Sequence, residues 1–159
     1  MKNYLAIAST ILFGSAVLTA SASAQGAGMG KDSMVAVMGK TVTWTPIEVP
    51  GFPTGIKLAA ISGDPAGQGD YTIRLGFPDG YRFPPHWHPN TENVTILSGS
   101  MQLAMGDQVD DSKLVTYEPG DFLFLPATMP HFGGVKGETV VQLHGQGPFV
   151  INLAKPGTD

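Results

Sequence analysis

The strongest constraint on this chain is a succession of short β-type runs from Thr41 onward, with turn residues in nearly every gap. Tyr71, Ile73 and Leu75 alternate with Thr72 and Arg74, the period of a strand with one buried face. Strands are predicted at 41–48, 56–62, 71–77, 81–88, 92–97, 100–105, 113–117, 121–125, 131–134, 139–144 and 149–153. Gly, Pro, Asp and Asn fill the intervals, as tight turns require. The 21 Gly and 13 Pro, with only 14% charged residues, suit such a chain. No segment carries a sustained 3.6-residue apolar period with helix caps. The expectation is an all-β sandwich or barrel.

The first residues predict a cleaved leader. Lys2 supplies a short basic start, residues 4–18 are apolar and uncharged, and Ala22-Ser23-Ala24 offers a small-residue cleavage site before Gln25. The apolar run is short for a bilayer span, which takes about 20 residues. The expected organisation is a signal peptide at 1–24, a flexible lead at 25–40, a single β domain at 41–153 and a tail at 154–159. The mature protein is expected to be exported, to a bacterial periplasm, with no membrane contact after cleavage. Removing Lys2 moves the formal charge from −4 to about −5. The nine Lys and Arg are scattered, so neither nucleic acid nor an anionic membrane is an expected partner.

Cysteine is absent, which excludes thiolate metal sites, cysteine nucleophiles and disulfides. Any metal would be held by nitrogen and oxygen. Met29, Met34 and Met38 in the lead read as linker methionines rather than copper ligands. His86-Trp87-His88 places two imidazoles on one face of a strand. Glu92 follows across the turn 89–91 and shares parity with Val94 and Ile96. Two histidines and a carboxylate converging into an apolar interior suit Fe, Mn, Ni or Zn.

The frame around these residues carries a resemblance. Gly80-YRFPP-His86-W-His88-PNT-Glu92-NVTILS-Gly99 resembles the first motif of the cupin superfamily at each spaced position. Gly120-DFLFL-Pro126-ATMP-His131-FGGV resembles the second. The chain has Thr128 where a Gly usually stands, and Val135 where an Asn does. The resemblance covers roughly 41–153. It implies a cupin-type jelly-roll β-barrel, with one divalent transition metal held by His86, His88, Glu92 and His131.

Around that centre, Met101 and Leu103, with Met105, are expected on the inward face of one strand, and Phe122 and Phe124 on another. Gln142 and His144 share a strand face that is assigned to the pocket. His144 is then the candidate catalytic proton carrier, with Arg82 and Tyr71 as weaker candidates. The acidic turn 106–111 lacks the ligand series of a calcium loop. The leading functional expectation is a metal-dependent enzyme for a small molecule, with oxygenase, isomerase and decarboxylase chemistry all compatible. The alternative is a non-catalytic metal or small-molecule binding protein or sensor. A third reading is structural, the metal stapling a cysteine-free domain that pairs as a homodimer.

Overall fold

In a computed structural model, residues 16–17, 34 and 36–155 are described. Ten strands follow in chain order: β1 Ala16–Val17, β2 Thr45–Pro46, β3 Lys57–Ser62, β4 Asp70–Phe77, β5 Arg82–Trp87, β6 Glu92–Met105, β7 Val115–Tyr117, β8 Phe122–Leu125, β9 His131–Gln146 and β10 Val150–Leu153. Two single 3-10 turns, Gly39–Thr41 and Asp111–Lys113, are the only helical elements among the described residues. The all-β expectation holds.

Every pairing is antiparallel, and two long strands organise the sheet. One edge of β9 runs along β6, while its other edge pairs with β5 in its first half and with β4 in its second. In the same way β6 pairs with β8 near its start and with β7 near its end. The long strands therefore change layers halfway. One layer contains β8, the start of β6, the end of β9, β4, β3 and β2; the other contains β7, the end of β6, the start of β9, β5 and β10. The interior lies between the two.

The bend in β6 has a local cause. Its inward residues are Glu92, Val94 and Ile96 before the bend and Met101 and Leu103 after it, so parity switches from even to odd. Register shifts at Ser98 and Ser100 insert the extra residue, and Gly99 between them takes φ +75°. The sequence predicts a break here and another at 134–139. Both turn out to be bends within continuous strands, because glycine lets the backbone turn without ending its ladder.

The predicted strand at 41–48 contracts to Thr45–Pro46, since Pro46 has no N–H to extend a ladder. The predicted leader lies outside the described residues except for Ala16 and Val17, which pair with Ile151 and Val150. Most of the predicted lead, with Met29, and residues 156–159 also lie outside them. Met34 and Met38 are exposed.

The core is aliphatic and aromatic. Ile73, Ile96 and Val141 are 1% exposed or less, and burying each side chain stabilises the fold by about 1.5–3 kcal/mol. The alternating burial of β4, with Tyr71, Ile73, Leu75 and Phe77 inside, matches the pattern read from the sequence.

Candidate metal centre

Three strands bring the predicted donors together. His86 stands near the end of β5, directly opposite His131 at the start of β9. His88 follows two residues later on the same face, while Trp87 between them points outward and is half-buried. Glu92 opens β6 beside Leu125 of β8. All four side chains are buried, at 3–7% exposure.

Each imidazole is fixed by its Nδ1 atom. His86 Nδ1 donates to the Pro84 carbonyl at 2.8 Å, His88 Nδ1 to Val150 at 2.8 Å and His131 Nδ1 to Met129 at 3.2 Å. A carbonyl can only accept, so the proton sits on Nδ1 and the Nε2 lone pair is free. Pro84 and Pro85 produce the first of these bonds. They interrupt the β5–β9 ladder between Phe83 and His86, which leaves the Pro84 carbonyl available to the ring. Aromatic walls hold the ring planes. Phe149 stacks on His88 at 5.1 Å, and Phe52 and Phe83 meet His86 edge-on at 5.0 and 5.7 Å.

The donor atoms of His86, His88 and His131 come within 4.8 Å of one another. Glu92 reaches two of the three rings, its Oε2 lying 3.5 Å from His88 Nε2 and 3.8 Å from His131 Nε2. His88 Nε2 is buried without a hydrogen-bond partner. Such an orphan is costly unless something else satisfies it, and a metal ion is the group that three neutral imidazoles and a carboxylate fit.

The electrostatics agree with that use. Burial, followed by the neighbouring rings of His131 and His88, holds His86 well below the usual imidazole range. Burial lowers His88 to about 4 and also lowers His131. All three rings are therefore neutral near pH 7, the form that ligates. Burial raises Glu92 to about 7, with His131 opposing the shift.

The donors face a cavity of about 60 Å³ between the layers. Its other lining residues are apolar, among them Val94, Met101, Leu103, Leu125 and Leu143. Met101 and Leu103 thus sit where the sequence places them, whereas Met105 is 39% exposed.

Besides Met105, four assignments are corrected. Phe122 and Phe124 are 56% and 61% exposed, and it is Leu123 and Leu125 of β8 that point inward. The register sets this: Leu125 faces Glu92 and Leu123 faces Val94, so the phenylalanines share the outer face with Asn93 and Thr95. Gln142 and His144 lie on the outside of β9, where Gln142 accepts a bond from Arg74 and His144 is exposed beside Asp70, Thr72 and Asn93. Val141 and Leu143 take the inner face instead. Parity in these strands is legible from sequence, but which parity is inward depends on pairing. His144 therefore has no place at the centre. Arg82 pairs with Asp111 on the surface, and Tyr71 is buried against Phe149.

Residues that the metal pattern alone does not flag also shape the site. Phe52, Phe83 and Phe149 wall it, and their signal in the sequence is only that of core aromatics. Thr128 is another. It is the one non-glycine residue with positive φ among those described, at +64°, and its N–H donates to the His88 carbonyl at 2.8 Å. This is the position where the related motif carries glycine. A β-branched residue there is strained by about 1–2 kcal/mol, against about 0.5–1 kcal/mol of backbone entropy that glycine would lose on folding. Thr128→Gly is expected to raise the melting temperature by about 2–4 °C, as a calorimetric scan would record.

The wider likenesses agree with this architecture. Residues 74–147 match the Cupin domain family. The polyketide cyclase RemF from Streptomyces resistomycificus superposes with a TM-score of 0.63 at 19% identity, covering 80% of this chain and 89% of that one. A candidate acetylacetone dioxygenase from Methylibium petroleiphilum PM1 gives 0.61 at 21% identity, covering 80% and 85%. KdgF from Halomonas sp. gives 0.52 at 16% identity, covering 69% and 93%. Likenesses at such identities are of fold. No curated protein matches the chain in sequence. With both motifs in place on a two-layered antiparallel barrel around a three-histidine cluster, residues 74–147 form a cupin domain.

Proposed function

We propose that this chain is a metal-dependent enzyme acting on a small molecule, exported to a bacterial periplasm. The observation that carries the reading is the convergence of three Nδ1-anchored imidazoles on an apolar cavity, with His88 Nε2 left unpartnered. His86, His88 and His131 would hold the metal, with the Glu92 carboxylate as fourth donor. Nitrogen and oxygen ligation of this kind suits Fe, Mn, Ni or Zn. A bound ion would supply Lewis acidity and open coordination positions for substrate or dioxygen. The imidazoles are held in one tautomer and one orientation, so little reorganisation is needed to bind it. The aliphatic walls exclude water from the reacting end of the substrate.

Glu92 is the only lining group besides the imidazoles that can carry a proton. In the metal-free site burial raises its carboxyl to about 7, so it must shed that proton to serve as the fourth donor. Enzymes among the structural neighbours support a catalytic role, and the leader pattern at 1–24 supports export. Metal analysis of protein purified from its own compartment, followed by an oxygen-uptake screen over small molecules, tests the reading. Native protein without metal would overturn it.

The proton on Glu92 predicts how metal affinity depends on pH. Only the carboxylate binds, and below about 7 the protonated form predominates. Affinity should therefore fall by about tenfold per pH unit between roughly 6.5 and 5, with one proton released per metal bound. The neutral imidazoles add no slope there until their own lowered values are approached. Titration calorimetry at several pH values reads this directly. Glu92→Gln should bind more weakly at pH 8 and lose the slope.

A further inference from the structure

We propose that the centre takes a ligand with a single metal-binding end and an apolar body, and that Phe52 sets the permitted length of that body. The inference rests on the metal-centre reading above and extends it to the class of ligand.

The chemistry of the lining defines the class. Apart from the four donors, every lining residue presents carbon or thioether, and no Lys, Arg, Ser, Thr, Asn, Gln or Tyr is among them. Both arginines of the chain are engaged elsewhere, Arg82 with Asp111 and Arg74 with Gln142. A charged or strongly polar group reaching past the metal would lose its water and find no partner. The rest of the ligand must therefore be apolar. It must also be short, since a cavity of about 60 Å³ holds only a handful of water-sized positions, at roughly 10–15 Å³ each.

Phe52 is singled out by its exposure. Among the lining residues it alone is not fully buried, and its loop neighbours at 50, 51, 53, 54 and 55 are all exposed. Phe52 is thus partly exposed while its ring centroid lies 5.0 Å from that of His86. The loop is anchored on both sides of the ring. Ile47 N–H donates to Ile56, Phe52 N–H donates to Val49 at 2.9 Å, and the Tyr81 hydroxyl donates to the Pro53 carbonyl at 2.6 Å. A ring held in this way at the mouth limits what extends outward from the metal.

The test uses the full mature chain loaded with cobalt(II), whose visible spectrum reports ligand entry. The probes are acetate, butyrate, hexanoate, octanoate and succinate. In the wild type, butyrate should bind at least threefold more tightly than acetate, and octanoate at least tenfold more weakly than butyrate. Succinate, with the carbon count of butyrate and a second carboxylate, should bind at least tenfold more weakly than butyrate. Phe52→Ala should raise octanoate binding relative to butyrate by at least tenfold. Phe52→Leu, which keeps the loop packed, should shift the length limit in the same direction by less.

Succinate binding as tightly as butyrate would overturn the ligand class. An unchanged length limit in both Phe52 variants would overturn the role of that residue. Wild-type protein that takes up no cobalt overturns the metal-centre reading and this inference with it. Cobalt uptake with the wrong ligand order overturns this inference alone.

Discussion

The double variant His86→Ala/His131→Ala is expected to lose its metal while keeping its fold. Buried sites with a full set of ligands bind zinc with about 10–16 kcal/mol, or roughly 3 kcal/mol per ligand. Removing two ligands should weaken binding by about four orders of magnitude. The two residues face each other across β5 and β9, so the loss leaves a gap at one point and no broken ladder. Far-ultraviolet dichroism should therefore remain that of a β protein. Added metal at a hundredfold excess over its dissociation constant should stabilise the wild type by about 2.7 kcal/mol and the variant hardly at all. Metal stoichiometry and melting curves with and without metal check both halves. A variant that still binds one ion tightly would sink the assignment of these ligands.

Gly99→Ala should be more damaging than the same change at Gly80 or Gly120, the other positive-φ glycines of the two matching motifs. Two separate penalties meet there. The residue holds φ +75°, which costs an L side chain about 1–2 kcal/mol. A Cβ at this position would also lie 2.4 Å from the Glu138 carbonyl oxygen and 2.7 Å from Thr139 Cα, backbone atoms of the adjacent strand that cannot swing aside. Overpacking of that kind adds about 1–3 kcal/mol. The sum of roughly 2–5 kcal/mol corresponds to a fall in melting temperature on the order of 10 °C. Gly120→Ala separates the two terms. Its φ is +100°, but a Cβ there would have no atom within 4 Å, so only the conformational cost of about 1–2 kcal/mol applies. Equal losses in the two variants would show that the contact with β9 contributes nothing.

Much of the molecule was legible before its structure. The alternation of Tyr71, Ile73 and Leu75 marks a half-buried strand because side chains in a strand alternate faces. The spacing of His86, His88 and Glu92, framed by Gly80 and Gly99, marked the donors, and these gather with His131 at one point. Gly99 appeared as a break and is a bend. The reason is that a bulge and a chain reversal call for the same residue, and only the cross-strand ladder distinguishes them.

Phe122, Phe124, Gln142 and His144 show where local reading stops. Alternation identified each pair correctly as sharing a face. It carried no information on whether that face was the inner one, because both faces of these strands bear substantial side chains. The choice was made by register: Leu125 beside Glu92, and Val141 and Leu143 on the cavity side. A one-residue slip would have reversed it.

The sequence by itself determined the strand period, the absence of thiolate chemistry and the candidate set His86, His88 and Glu92, because each depends on residue type and short spacing; His131 entered only through the resemblance of its segment to a known motif. Tertiary structure alone decided three further points. These are the inward parity of β8 and β9, the backbone carbonyls that anchor each Nδ1, and the placing of Phe52 over His86. Each depends on segments distant in the chain meeting across the barrel, as Val150 meets His88, and no local pattern encodes such a meeting.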